Sequence, residues 1–152
     1  MRKVWVKPPE TGIRKRTKLA RAHVFRQVFI AHRKGLYYVT VPTLLAQADG
    51  VCLDLLGEHF FIKNRHKGRE RFAKLADLEV LTKALLAPFF NDTNIRASSK
   101  ERPKGFDGLN RHLVLHGESF DYGTEARSLQ AVAFLYYVAV SLGRVLDSHY
   151  VK

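Results

Sequence analysis

Residues 129–142, LQAVAFLYYVAVSL, carry an apolar or small side chain at nearly every position. A segment like this has to be covered by other elements, so it dictates what the rest of the chain must supply. Its longest unbroken apolar run, AVAFLYYVAV over residues 131–140, is too short to cross a bilayer as a helix, which takes about 20 residues. Thr124 stands where a helix N-cap would stand, with its hydroxyl available to the first free backbone amides. The pattern predicts a helix over about 125–147 that lies at the centre of the core.

The partners of that helix follow from spacing. Val24, Phe25, Val28 and Phe29 recur with a helical period, and Arg14, Lys15, Arg16, Lys18, Arg21 and Arg26 decorate the remaining surface. The pair Lys34–Gly35 ends this basic amphipathic helix. Residues 36–56 begin with β-branched side chains, which leaves a strand open at the front. Leu44, Leu45, Ala48, Val51, Cys52 and Leu55 then recur at helical spacing, and one helix over about 37–56, closed by Gly57, accounts for the whole. Pro42 fits an early turn or a kink. Residues 58–68 read as a connection. A further helix is expected over 69–87, with Phe72, Leu75, Leu78, Val80, Leu81, Ala84 and Leu85 as its buried stripe and Pro88 as its stop. The four tyrosines on apolar helices, Tyr37, Tyr38, Tyr136 and Tyr137, are expected in the core. Residues 91–108 are polar and rich in breakers, and a short helix of about two turns follows before Gly117. The expectation is an all-α chain, an up-and-down bundle of four long helices plus a short one. Residues 1–13, with Pro8, Pro9 and Gly12, read as a basic extended arm, and 14–152 as a single helical domain.

Charge narrows the partners. The net charge is +12, and residues 1–40 hold eleven Lys or Arg against one acid, Glu10. Ten of the twelve excess charges therefore sit in the first quarter. Such clustering attracts polyanions by releasing their counterions, and nucleic acid is the obvious one; a solvated helix face with a basic arm is the other reading. The single cysteine, Cys52, excludes an intrachain disulfide, fits a reducing compartment, and reads as a small buried hydrophobe. The N-terminal segment has no apolar stretch behind its charges, so it is not a secretory signal. A soluble cytoplasmic protein without membrane association is expected.

The chemistry concentrates in LNRHLVLHG, residues 109–117, which sets Asn110, Arg111, His112 and His116 among bulky aliphatics. His112 and His116 fall about 40° apart around a helix and could share a metal. The position after His112 is Leu113, however, where a metalloprotease helix needs Glu, and no third ligand has an obvious spacing. A structural role is open too, with Arg111 and the histidines capping carbonyls or pairing with acids such as Asp107. The third reading is metal-free cleavage of a phosphodiester. RNA carries its own nucleophile, the 2′-OH; histidine suits either proton transfer at neutral pH, and arginine offers a permanent bidentate charge to phosphate. Arg111 and His116 lie about 140° apart on an ideal helix, so they can flank a cleft between helices or subunits. No metal and no cofactor is called for. Gln47 and Asp49 interrupt an apolar helix; if buried they need partners, for which Arg111 or Asn110 are candidates, and a solvent-facing helix end is the other reading. Asp121 and Tyr122 can line the cleft, although Tyr122 also suits a loop anchor.

Arg111, a polar His112, three further residues and His116 resemble the signature of HEPN-domain ribonucleases. This similarity is closest over about 109–135. The resemblance implies an α-helical bundle with the signature near its last helices. It also implies a metal-independent endoribonuclease acting as a homodimer, with Arg111 and His116 catalytic and His112 as the polar motif position. Toxin–antitoxin or defence systems are the implied setting, with an antitoxin or other regulatory partner. Asn110, Asp49 and Tyr122 are supporting candidates, and Arg14, Lys15, Arg16, Lys18 and Arg21 are candidates for RNA binding. The alternative class is a catalytically silent helical RNA-binding or dimerisation module.

The basic first quarter should govern affinity. Deleting residues 1–16 removes six bases, Arg2, Lys3, Lys7, Arg14, Lys15 and Arg16. The dependence of log K on log salt for single-stranded RNA should flatten by about 0.7 for each phosphate that the segment otherwise neutralises. Binding measured from low to moderate salt checks this, and an unchanged slope would show that the segment does not touch the polyanion.

Overall fold

A computed structural model describes residues 11–56, 59–61, 80, 84, 87–89, 93–98 and 100–150 of the chain. All regular structure among these residues is helical. Helix α1 spans Thr11–Arg33, α2 Tyr37–Leu56, α3 Arg111–Leu115 and α4 Glu125–Tyr150. The first helix starts at Thr11, inside the segment expected as an extended arm; residues 1–10 lie outside the description. The helix expected over 69–87 also lies mostly outside it. Of that segment, Val80, Ala84 and Ala87 are helical, and the helical state runs through Pro88 to Phe89, so Pro88 does not mark the stop. Val80 is 85% exposed, and Ala84 is exposed as well, so neither belongs to a buried stripe.

The α1–α2 hairpin is set by backbone chemistry at Gly35. Its φ of 72° lies in the left-handed region, and two bonds close the helix end: Gly35 N–H to His32 C=O at 2.9 Å and Leu36 N–H to Ala31 C=O at 3.0 Å. Only Lys34, Gly35 and Leu36 separate the helices, so α2 returns antiparallel along α1. Across the hairpin, the Arg21 guanidinium is fixed on α2. Its Nε and Nη2 donate to Asp54 Oδ2 at 3.2 and 2.7 Å, and its Nη1 donates to Gln47 Oε1 at 2.7 Å. Gly50 leaves the room for this, since a Cβ there would sit 2.6 Å from Arg21 Nη1. Gln47 thus pairs with Arg21, not with Arg111 or Asn110.

The central helix is α2, not α4. Val41, Leu44, Leu45, Ala48, Val51 and Cys52 are all buried, with α1 on one side and α4 on another. Pro42 lies within α2, in its second turn, and no break in the helix follows. The buried Thr40 hydroxyl donates back to Leu36 C=O at 2.8 Å. In α4 one stripe is covered, Ala131, Leu135, Val138 and Leu142 at four- and three-residue steps, while Leu129 is 51% and Tyr136 69% exposed. An unbroken apolar sequence overstated the burial of α4 because small alanines and an amphipathic tyrosine tolerate the surface. Tyr38, also expected in the core, is 56% exposed, whereas Tyr37 and Tyr137 are partly buried. Burial pushes the Tyr137 hydroxyl up to about 12, against a smaller opposing effect of its hydrogen bond with Ser141.

The N-terminal ends of α2 and α4 lie together, so these two helices start at the same end of the molecule. Tyr38 hydroxyl donates to Phe120 C=O at 2.7 Å, and its ring meets Tyr122 edge-to-face at 5.2 Å. His32, at the end of α1, joins them through a 2.8 Å bond between its Nδ1 and the buried Ser128 hydroxyl. Thr124 caps α4 as expected, its hydroxyl accepting from Arg127 N–H at 3.3 Å. No helix of the described residues is long and apolar enough to cross a membrane.

Tyr38 lies so close to Gly123 that a Cβ at 123 would fall 2.2–2.5 Å from its ring atoms. Gly123→Ala should therefore expel the ring and destabilise the chain by about 1–3 kcal/mol. In a Tyr38→Ala background the same change should cost little, which a double-mutant cycle by urea unfolding will read as coupling.

Candidate functional site

The motif segment is built on one buried amide. Asn110, 1% exposed, N-caps α3 by accepting from Leu113 N–H at 3.0 Å. Its Nδ2 donates to Asn94 C=O at 2.6 Å and to Ala97 C=O at 2.9 Å. Arg102 Nη1 approaches the same Oδ1 at 3.4 Å. Next in sequence, Arg111 N–H donates to Ile95 C=O at 3.0 Å. The 93–97 loop is itself a turn, with Arg96 and Ala97 N–H groups on Thr93 C=O. These bonds join loop and helix backbone, so Arg96 and Arg111 are carried by adjoining stretches of chain. Asn110 is a scaffold residue here and does not reach Asp49.

Both arginines rest on aromatic rings. The Arg111 guanidinium carbon lies 5.1 Å from the Phe61 ring centre, and that of Arg96 lies 5.4 Å from the Phe60 ring. The two phenylalanines meet edge-to-face at 5.0 Å and both pack on Phe134. Phe60, only 2% exposed, comes from the segment expected as a mere connection. Arg111 Nε is buried and has no hydrogen-bond partner among the described residues. A buried N–H without an acceptor is unfavourable, and the planar fork of arginine matches an oxyanion.

Asp49 reaches the backbone of the same aromatic segment. Its Oδ1 accepts from Phe61 N–H at 3.2 Å, and its Oδ2 lies 2.8 Å from His59 Nδ1. Nδ1 is buried without a hydrogen-bond partner among the described residues, so the contact is a close approach of the two side chains and not an aligned hydrogen bond. Gln47 and Asp49 sit two residues apart on α2, about 200° around the helix, which is why one turns to Arg21 and the other to His59.

The histidines of the motif lie elsewhere. His112 and His116 rings are 4.3 Å apart, as helical neighbours four residues apart should be. His112 Nε2 lies 3.0 Å from Glu118 Oε1, and Arg102 Nη2 lies 3.6 Å from Glu118 Oε2. His116 is exposed and forms the C-cap of α3. Within one chain, then, Arg111 stands on Phe61 and His116 on His112; the structure does not bring the two together. Among the described residues, no group of three or more His, Cys, Asp or Glu is placed to hold a metal ion.

A cavity of about 500 Å³ opens beside α3, lined by Phe106, Asp107, Glu118, Phe120, Tyr122 and Arg127 among others, but not by Arg111 or His116. Tyr122 thus lines a cleft and, through Tyr38, anchors its loop. The hydrogen bond from Ser119 hydroxyl to Asp121 holds that carboxyl below its usual range. Asp107 pairs with Arg127 rather than with Arg111.

Of the expected RNA-binding residues, Arg21 is engaged as the α1–α2 clamp, while Arg14, Lys15, Arg16 and Lys18 lie outside the residues whose side chains are described. Sequence reasoning missed His59, Arg96 and Arg102. The available signal was the pair Phe60–Phe61, two large aromatics inside an otherwise polar connection. Comparison of the chain with protein-family models, curated proteins and solved structures gives no match.

Asn110→Ala should destabilise the protein by at least about 2 kcal/mol. It removes a cap worth about 1 kcal/mol and strands two carbonyls at about 1–3 kcal/mol each where water does not replace the amide. Asn110→Asp keeps the cap acceptor but opposes oxygen to both carbonyls, so it should rescue little. Urea unfolding of the three proteins checks this; equal stability of Asn110→Ala and the parent would contradict the scaffold role.

Proposed function

We propose that the protein is a metal-independent endoribonuclease that cleaves by 2′-OH attack, in the cytoplasm and within a toxin or defence system. The observation that carries this reading is the Arg111 guanidinium, placed on Phe61 with its buried Nε lacking a partner among the described residues. Such a group awaits an anion, and the phosphorane of RNA cleavage needs a fixed positive charge. His116, exposed at the other end of the same short helix, can exchange a proton with a reacting oxygen. The pattern of Arg111, His112 and His116 in an all-helical setting resembles the HEPN signature and supports the same assignment.

A two-fold homodimer accounts for the separation of the two residues. Arg111 of one protomer and His116 of the other can share a phosphate across an isologous interface, although neither meets its own-chain partner. Exposed Leu115, beside His116, together with Leu129 and Tyr136 on α4, offers apolar surface for it. Exposed Arg26, Arg33 and Lys34 offer basic surface for RNA. An antitoxin or regulatory partner belongs to the same proposal, as does the four-long-helix bundle.

A second reading is a silent helical RNA-binding or dimerisation module. It is favoured by one observation, that His112 is committed to Glu118 and the His116 ring leans on His112 rather than on Arg111.

Incubation with mixed RNA in EDTA separates the readings. Cleavage should persist, with products ending in 2′,3′-cyclic phosphate, and Arg111→Ala and His116→Ala should each lower the rate by about 10²–10⁴-fold. Mixing the two inactive chains should restore part of the activity if sites are composite. Loss of activity in EDTA with recovery on adding zinc would overturn metal independence, and an inactive parent that still binds RNA would establish the module.

A further inference from the structure

RNA cleavage by 2′-OH attack needs two proton-transfer groups, and the motif supplies one histidine to each Arg111. The described residues contain a second imidazole two positions before Phe61, the ring that carries Arg111. His59 precedes the Phe60–Phe61 ledge on which Arg96 and Arg111 stand. Asp49 meets this segment at two points, accepting Phe61 N–H at 3.2 Å and lying 2.8 Å from His59 Nδ1. The Asp49 carboxylate is largely shielded, with 17% of its side chain exposed, whereas the His59 side chain is 41% exposed. The carboxylate beside Nδ1 places the imidazole without an aligned hydrogen bond, and the exposed part of the side chain can meet a substrate proton. The unpartnered Arg111 Nε supplies the independent sign that an anion belongs beside this ledge.

We infer that His59, oriented by Asp49, is the general base that acts on the phosphate held by Arg111. This rests on the ribonuclease reading for its chemistry, while the anion site shared by Arg111 and His59 stands apart from it. In the step, His59 Nε2 takes the proton of the 2′-OH as the 2′-oxygen bonds to phosphorus. The bond from phosphorus to the 5′-oxygen breaks, and His116 of the other protomer gives that oxygen a proton. The products are a 2′,3′-cyclic phosphate and a free 5′-OH, and the two histidines then exchange protons with water. Asp49 is a positioning residue that steadies the imidazolium as it forms.

The test has two arms, both on the full chain. In the first, inorganic phosphate is titrated at constant pH and ionic strength while histidine ring signals are followed by NMR, with His59→Gln used for assignment. The His59 signals should shift saturably in the parent and stay fixed in Arg111→Ala. Signals that never move, or that move equally in Arg111→Ala, overturn the shared site. In the second arm, His59→Gln should lower kcat by about 10²-fold or more with KM changed only a few-fold, and should remove the ascending limb of the pH–rate profile. Asp49→Asn, which keeps an acceptor for Phe61 N–H, should lower kcat less and leave KM in place. An unchanged kcat in His59→Gln overturns the base assignment. A parent that never cleaves RNA refutes the ribonuclease reading and the base assignment with it, while the phosphate arm still decides whether Arg111 and His59 share an anion.

Discussion

Asn110 places a full amide, two donors and an acceptor, where almost no solvent reaches it, and each of those groups is used. The acceptor starts α3, and the donors close the 94–97 loop onto that start. Everything that gives the candidate site its shape follows from this join. It sets Arg111 N–H on Ile95 C=O, brings Arg96 alongside, and lets both guanidiniums reach the Phe60–Phe61 ledge. A side chain with fewer hydrogen-bonding groups could cap the helix or hold the loop, but not both. That answers why a polar cluster is embedded in an oily segment: part of its chemistry is structural, and the structural part positions the rest.

Much of the helical layout was legible because it depends on local signals. The period of Leu44, Leu45, Ala48, Val51 and Cys52, the cap at Thr124 and the left-handed glycines at 35 and 117 each act within a few residues. What failed required long-range knowledge. The ranking of α2 over α4 as the central helix depends on which neighbours cover which face, and composition does not report this. The partner of Asp49 was misjudged for the same reason. A polar residue on a buried helix announces that it has a partner, but the partner is chosen by the chain that folds back after Leu56. His59 and the Phe60–Phe61 pair lay in a segment that carries no periodicity, so burial as complete as that of Phe60 left no trace in the pattern.

The polar residues of α2 divide the helix into two working sides. Arg21, Gln47 and Asp54 fasten it to α1, and Gly50 keeps the space for that fastening. Asp49 looks the other way, toward His59 and Phe61. Between them run the apolar positions that face α4. One helix thereby fixes the hairpin, the core and the aromatic ledge, and the cluster around Arg111 inherits its rigidity from the same element that stabilises the fold.

His116 illustrates a different economy. Its ring is open to solvent, yet its backbone is not free. His116 N–H bonds His112 C=O at 3.0 Å, Gly117 turns with a φ of 71°, and Glu118 and Ser119 N–H groups both reach Leu113 C=O. The imidazole is therefore mobile only about its own side-chain bonds. When it engages a ligand, the loss of freedom is confined to those rotamers, on the order of 0.5–1.5 kcal/mol, with no loop to order. An exposed histidine on such a mount combines access to bulk water with a small entropic penalty for adopting one pose.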